Sequence, residues 1–381
     1  MARAVFAADR YTRRADGFDR WTRRIALSIP VAHPERWDRA VPALTAVLGT
    51  VTGDLWEVLF RPLPGKSNRE RSFTFAEDCA HDVALFSGGL DSLGWAAEQA
   101  KVSSPHALLL VSFEERNFEA LQDRVYGAVR ALRQRPIRRL TQSQTVRKPR
   151  GSGIELERTT RSRGLLYAAT AVHAAAAERI PVVHLPENGQ LAVNPPLSAA
   201  RAGACSTRSV HPWTLHHLNR VIAEVAEPES AIRVENPFAV LTKGDVCAVA
   251  RDVGLPQRVL EATLSCGTPP DRHPAGPPLA HCGLCYPCLV RRSGLLRAFG
   301  EDRTPYAADP WDPTLNADRS RNWSALRRWL DTEWSVLDLV ADAPLPPDAQ
   351  PARLVEVIER GREELRALIV WADRRAPRKA S

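Results

Sequence analysis

The sequence predicts an α/β fold, a doubly wound parallel sheet carrying a small α+β unit before it and a helical unit after it. Three observations predict this. Between residues 79 and 300, short apolar runs alternate with helical stretches, and strands separated by helices of that length pair in parallel. The first of those runs feeds a Gly-Gly turn that opens a helix. From residue 301 onward the pattern changes to proline-punctuated loop followed by two amphipathic stripes.

In chain order, residues 1–78 form the first unit. Ile25, Leu27, Ile29 and Val31 alternate with other residues, as in a strand with one buried face. Trp37, Val41, Leu44 and Leu48 follow at helical spacing, and Trp56, Val58 and Phe60 alternate again. Residues 62–71 read as a polar connector, and residues 72–75 as a short strand. In the central unit, 79–300, residues 83–86 form a buried strand, with a helix from Ser92. Residues 107–113 are a seven-residue, largely apolar run suited to a central parallel strand. Residues 117–132 and 163–178 are expected as helices and 180–185 as another buried strand. In the last unit, 301–381, Trp323, Leu326, Leu330, Trp334 and Leu337 fall on one helical face. Beyond the linker 344–351, Leu354, Ile358, Leu365, Leu368 and Ala372 mark a second amphipathic helix. Both stripes are expected to pack onto the core.

The chain has 381 residues, 44% hydrophobic and 25% charged, enough for a large core without disulfides. Its net charge of +8 is spread along the sequence, unlike the clustered stripe of a dedicated nucleic-acid binder, and the same field favours a phosphate-bearing substrate. Direct nucleic-acid binding stays open on this reading. Arginine supplies almost all the cations, lysine occurring only as Lys66, Lys101, Lys148, Lys243 and Lys379. The first twenty residues carry Arg and Asp where a secretory signal needs an apolar run. The stretch 165–177 contains His173 and is too short to span a bilayer. A cytoplasmic protein without a membrane partner is expected. Four of the seven cysteines lie between 266 and 288, a clustering that argues for metal binding in a reducing compartment.

The sharpest chemical signal is Phe86-Ser87-Gly88-Gly89-Leu90-Asp91-Ser92, between a buried strand and a helix. The glycines permit backbone conformations closed to other residues and leave room for a phosphate. The helix start offers unpaired N–H groups and the positive end of its dipole, and Ser87 and Ser92 add hydroxyls. Asp91 would repel a bare phosphate, so it implies either a bridging Mg²⁺ or a loop-positioning role. Gly65-Lys66-Ser67 looks like the end of another phosphate loop, but position 60 is Phe where that motif needs Gly. The string Ser-Gly-Gly-x-Asp-Ser resembles the PP-loop of the ATP pyrophosphatases, whose sheet is of the adenine-nucleotide α-hydrolase (HUP) type. The resemblance implies that the loop holds the pyrophosphate of ATP while an oxygen nucleophile attacks the α-phosphate.

Cys282, Cys285 and Cys288 stand at C-x₂-C-x₂-C spacing, with Cys266 upstream. Four thiolates suit a closed zinc site, which would clip residues 267–281 onto the core, or an iron–sulfur cluster of four irons. His281 is superfluous to four cysteines. The order of Ser87–Ser92, Arg163-Gly164-Leu165-Leu166-Tyr167, Thr242-Lys243, Ser265-Cys266, His281-Cys282-Gly283, Cys285, Cys288 and Arg291-Arg292 resembles the QueC family of deazaguanine-modifying enzymes over about residues 80–300. That resemblance implies ATP, Mg²⁺ and Zn²⁺ as cofactors, Zn²⁺ on Cys266, Cys282, Cys285 and Cys288, and Lys243 and Arg163 at the nucleotide. Asp91, Ser92 and Lys243 are the expected catalytic set.

The sequence departs from that family after the fourth core strand. Glu187-Asn188-Gly189 and the segment Cys205-Ser206-Thr207-Arg208 to His211 stand where the family reads its base. Glu and Asn at the carboxyl end of a parallel strand can pair with a guanine-like edge, so Glu187, Asn188, Arg208 and His211 are the expected substrate residues. The pattern resembles QueC-like proteins of anti-phage systems, the Qat system and one CBASS type. This implies a deazapurine carboxylate adenylated by ATP and then attacked by ammonia or by an amine of a protein from the same operon. A homodimer is also among the expectations. No general base stands out; His211, His216 and His217 qualify by residue type alone, and Cys205 reads as a small buried residue. The competing readings are housekeeping queuosine biosynthesis, tRNA thiolation, and a non-catalytic binding module.

Overall fold

A computed structural model describes residues 1–64, 80–114, 118–143, 145–148, 150–159, 161–198, 208–227, 231–267 and 281–375. The elements in order are α1 (Ala2–Tyr11), β1 (Arg24–Val31), α2 (Pro34–Thr52), β2 (Leu55–Pro62), β3 (Ala80–Leu85), α3 (Leu90–Ala100), β4 (Ala107–Phe113), α4 (Glu119–Leu132), β5 (Ile137–Gln142), α5 (Arg163–Glu178), β6 (Val182–His184), α6 (Gly189–Val193), α7 (Pro212–Val225), β7 (Arg233–Glu235), α8 (Lys243–Asp252), α9 (Gln257–Glu261), α10 (Tyr286–Phe299), α11 (Ala317–Asp331), α12 (Val336–Asp342) and α13 (Pro351–Asp373).

Among the described residues, β3 to β7 form a five-stranded sheet in the order β5-β4-β3-β6-β7, every neighbouring pair parallel. The chain winds outward from β3 through β4 to β5, then returns to place β6 on the other side of β3. The sheet therefore reverses direction between β3 and β6, the crevice where ligands of such sheets bind. β4 shows why a continuous apolar run is needed here. Ala107, Leu109, Val111 and Phe113 enter the core on one face, and Leu108 and Leu110 enter the core on the other. Period-two alternation between two buried layers favours apolar residues throughout, and the one polar residue, Ser112, is buried with its hydroxyl satisfied by Phe86 O.

One layer holds α3, α4, α8, α9 and α10. The opposite layer holds α5 and α7, and onto it packs the N-terminal unit, in which β1 and β2 pair in parallel with α2 crossing between them. This unit is tied down by buried Arg23, whose guanidinium bridges Asp9 and Asp54, while Asp9 also accepts from the Ser162 hydroxyl before α5. At the far edge of the main sheet, Asn219 of α7 donates to Val234 O at 3.0 Å and accepts from Val234 N at 2.7 Å. A side chain thus takes the place of a sixth strand beside β7. No described helix is long and apolar enough to cross a membrane. The segments 65–67 and 72–75, and Cys79 and Cys205 to Thr207, lie outside the described residues.

The helical C-terminal layer departs from expectation at one point. The stripe from Trp323 to Leu337 is broken into two helices, α11 ending at Asp331 and α12 starting at Val336, with Leu337 76% exposed. Two local devices cause the break. Buried Arg362 of α13 donates to the carbonyls of Trp329, Leu330 and Thr332, satisfying the last turn of α11. Ser335 and Asp338 then form a reciprocal capping box that begins α12. The second stripe holds: Leu354, Ile358, Leu365, Leu368 and Ala372 are all buried along α13.

Candidate functional site

The loop between β3 and α3 is built from both sides. Phe86 and Leu90 are fully buried in the core, so only their backbone can face a ligand, and Phe86 O is already held by Ser112 Oγ at 2.9 Å. Gly88 adopts φ +78°, in the left-handed region, and a Cβ there would lie 3.0 Å from Gln122 Cγ. Gln122 donates through Nε2 to Ser87 O (3.0 Å) and Phe113 O (3.1 Å), stapling the loop to the end of β4. On the other side, Leu264 N donates to Gly88 O at 3.1 Å, and a Cβ on Gly89 would meet Leu264 O at 2.9 Å. Ser87 Oγ accepts from Gly89 N (3.2 Å), and Ser92 Oγ donates to Gly89 O (3.0 Å). Helix α3 starts at Gly89 with no side-chain cap, which leaves its first-turn amides to the loop's own cradle.

A buried charged cluster lies directly beside this loop. Lys243 Nζ pairs with Asp91 Oδ2, and the lysine is 1% exposed. Asn188 Nδ2 donates to Asp91 Oδ1 (3.3 Å) and to Glu187 Oε1 (2.9 Å), while its Oδ1 caps α6 by accepting from Leu191 N. Burial, reinforced by the charge of Asp91, pushes the Glu187 carboxyl up to about 8, with Lys243 opposing. The Glu187 backbone is fixed by Asn236, which accepts from Glu187 N at 3.1 Å and donates to Glu187 O at 2.7 Å. Asp91 in the first turn of α3, beyond β3, and Glu187-Asn188, just beyond β6, thus converge on the crevice between those strands.

Lys243 is the first residue of α8, and every amide of that first turn has a side-chain partner. Lys243 N donates to Gln190 Oε1 (2.9 Å), Gly244 N to Glu364 Oε2 (3.1 Å) and Asp245 N to Thr242 Oγ1 (3.0 Å). One of these contacts brings in α13 directly, Gln190 of α6 packs on the same helix, and glycines make the fit. A Cβ on Gly244 would stand 2.3 Å from Glu364 Oε1, and one on Gly361 would stand 2.1 Å from Gln190 Nε2. Sequence reasoning missed Gln122, Gln190, Asn236 and Glu364. A legible signal existed for the last: Gly361 interrupts an otherwise good helix-forming stretch, which demands a packing reason.

The remaining expected residues are placed as follows. Arg163 lies over the Tyr167 ring (5.6 Å), and Tyr167 stacks on Phe113 at the end of β4 (3.8 Å), on the same sheet edge as the loop. Arg208 pairs with Asp342 of α12 at 2.9 Å. His211 caps α7 by accepting from Trp213 N at 3.2 Å, and burial with Arg208 nearby lowers it to about 4. Pairing and capping account for Arg208 and His211 without a ligand. A cleft of about 560 Å³ lies between α7, the segment after β7 and residues 346–354, and shares Asn236 with the wall behind Glu187. That volume is in the range of small-molecule sites.

The four cysteines come together. The Sγ atoms of Cys266, Cys282, Cys285 and Cys288 all lie within 4.8 Å of one another, with Cys266–Cys285 at 3.8 Å and Cys282–Cys288 at 3.9 Å. A tetrahedron with metal–sulfur bonds of about 2.3 Å has edges of about 3.8 Å. The set therefore fits one zinc-sized ion better than a four-iron cube, in which each thiolate sits on its own metal. Leu284 N and Cys285 N point at Cys282 Sγ (3.4 and 3.3 Å) around Gly283, whose φ is +79°. His281 Nε2 instead accepts from Ser265 N at 3.2 Å. From the same helix as Cys288, buried Arg291 donates to Thr263 Oγ1, Leu260 O and Glu261 O (2.7, 2.8 and 3.0 Å). The cysteine cluster and Arg291 together hold the 260–266 segment, and that segment carries Leu264 against the phosphate loop.

Comparison with known proteins bears on the second half of this site. Residues 211–299 match the sequence model of the family described as queuosine biosynthesis protein QueC. That stretch is QueC-like. It runs from α7 through α10 and includes Asn236, Lys243 and all four clustered cysteines. A 7-cyano-7-deazaguanine synthase of Campylobacter curvus is 32% identical over 93 residues, 24% of this chain and 37% of that protein. One of Pyrococcus horikoshii is 33% identical over 79 residues, 21% of this chain and 31% of that protein. The chain thus matches about a third of the length of these curated relatives. The matched family stretch does not reach back to Ser87–Ser92 or to Glu187.

Proposed function

We propose that the protein is an ATP-dependent ligase that adenylates the carboxylate of a 7-deazaguanine and passes the acyl group to an amine. The observation that carries this reading is the meeting of the Ser87–Ser92 loop with Glu187, Asn188 and Lys243 at the β3/β6 crevice, in a chain with a QueC-like stretch. In this reading Gly88, Gly89 and the start of α3 take the β- and γ-phosphates, and Ser87 and Ser92 turn their hydroxyls outward to join them. A carboxylate oxygen of the substrate attacks the α-phosphorus, pyrophosphate leaves, and an amine then displaces AMP to leave an amide. Lys243, released in part from Asp91, offsets charge on the leaving phosphates. Mg²⁺ would neutralise phosphate charge, and Asp91 is the carboxylate placed to hold it. Glu187, its carboxyl raised beside Asp91, supplies a hydrogen-bond donor to the deazapurine, and the proton of the incoming amine leaves with AMP or to solvent. Arg163 completes the nucleotide end. Cys266, Cys282, Cys285 and Cys288 fit a structural Zn²⁺ that buttresses the loop through Leu264.

The units before and after the matched stretch favour the resemblance to QueC-like proteins of the Qat and CBASS anti-phage systems. Either ammonia or an amine of a macromolecule then serves as final acceptor. The test is direct. Purified protein with ATP, Mg²⁺ and 7-carboxy-7-deazaguanine should release AMP and pyrophosphate, and Asp91→Ala should release neither. Equal, substrate-independent hydrolysis by both proteins, or none by the native one, overturns the reading. Product mass with and without ammonia then identifies the acceptor.

A further inference from the structure

We propose that Glu364, on the C-terminal helix α13, is a positioning residue that holds Lys243 in register with Asp91. This makes the C-terminal layer part of the active centre, and it rests on the functional reading above. Lys243 is constrained at three points. Its amide is bound by Gln190 Oε1 at 2.9 Å. Its stem passes so close to Gly294 of α10 that a Cβ there would lie 2.6 Å from Lys243 Cγ. The helix start on which it sits is gripped by Glu364, which accepts from Thr242 Oγ1 and, at 3.1 Å, from Gly244 N. Those residues flank Lys243 on either side, so the carboxylate fixes the backbone from which the lysine projects.

The placement is specific. Glu364 is 7% exposed on a helix face otherwise lined by Leu354, Ile358, Leu365 and Leu368. A carboxylate among such neighbours persists only when paired, and both of its oxygens are used on the start of α8. A negative charge at a helix N-terminus is favourable; burial raises the Glu364 carboxyl to about 7, while its hydroxyl and amide donors, Thr242 and Gly244, pull the other way. Arg360, one turn earlier, pairs with Asp245 and donates to Val240 O, so α13 clamps both sides of the Thr242–Asp245 turn.

The test separates positioning from mere packing by a double-mutant cycle. Glu364→Gln keeps the volume but offers Gly244 N a second donor in place of an acceptor. Its kcat for pyrophosphate release from ATP and 7-carboxy-7-deazaguanine should fall by about tenfold, with KM for the deazapurine little changed. In a Lys243→Met background the same change should have no further effect, because Glu364 acts through the lysine. Glu364→Asp, which retains two acceptors, should restore part of the loss. An unchanged kcat in Glu364→Gln, or a tenfold loss repeated in the Lys243→Met background, overturns the proposal. If the native protein is inert towards this substrate, the functional reading fails first, and thermal unfolding of the same four proteins still decides. Non-additive shifts in midpoint support the link, and additive shifts overturn it.

Discussion

Lys243→Met removes the only cation paired with Asp91 among the contacts described, and the consequence can be worked from the burial of the pair. Lysine and aspartate side chains are 1% and 11% exposed. Breaking a buried ion pair by deleting one partner costs about 3–5 kcal/mol, because the other charge stays buried without its counter-ion. Asp91 keeps the Asn188 amide, so the lower end, about 3 kcal/mol, applies. At roughly 2 °C per kcal/mol for a domain of this size or larger, the unfolding midpoint should fall by about 6 °C. Asp91→Asn alone strands the ammonium in the same way. The double variant Asp91→Asn/Lys243→Met carries neither charge and should recover about 1–3 kcal/mol relative to the sum of the single losses. Urea titration followed by tryptophan fluorescence, checked by calorimetry, measures all four proteins. Simple additivity, or a Lys243→Met protein as stable as the native one, would show that the two charges do not meet in the folded state.

Other outcomes follow from the same geometry. Glu187 titrates near 4.5 when unfolded and about 8 when folded, so the folded state retains its proton longer and stability falls as pH rises from 4.5 through 8. Glu187→Gln should therefore be the more stable protein above neutrality and equal below pH 4.5; a midpoint difference that is flat with pH refutes this. Cys282→Ser should lose bound zinc by elemental analysis and speed amide hydrogen exchange at Leu264 and Gly89, which the cysteine cluster supports from behind. Unchanged exchange there would uncouple the metal from the loop. Gly88→Ala should cost about 1–2 kcal/mol from the left-handed backbone alone and abolish nucleotide binding measured by calorimetry. Gly127→Ala, on α4 with no atom within 4 Å of the added methyl, should instead stabilise by up to about 1 kcal/mol.

The parts legible in the sequence are those encoded by local pattern. The run 107–113 reads as β4 because two buried faces demand a nearly continuous apolar stretch, and α5 reads as 163–178 because alanine and leucine recur at helical spacing. The cysteine spacing and the Ser-Gly-Gly-x-Asp-Ser string survive as compact units for the same reason: their chemistry lies within a few residues. β7 was not legible, since three residues carry no periodicity, and β5 was hidden by Arg138 and Arg139, which an edge strand can expose. The α11–α12 break was missed because Trp334 and Leu337 continue a hydrophobic rhythm, although Ser335 and Asp338 offered a capping signal against it. Gln122, Gln190 and Glu364 were invisible for a different reason. Each is a polar residue whose partners come from remote parts of the chain, and only the tertiary arrangement distinguishes it from a solvated surface group.

The long interval between the phosphate loop and α13 has a consequence for how the protein is born. Sheet and loop are complete in the nascent chain well before residues 351–373 leave the ribosome, and folding proceeds as each region emerges. Until that last helix docks, the turn bearing Lys243 lacks the carboxylate that grips it. A chain caught in mid-synthesis, or released short of α13, therefore holds the cradle for a nucleotide without the set lysine to use it. Translation order thus sets that lysine last, after the sheet and loop around it are in place.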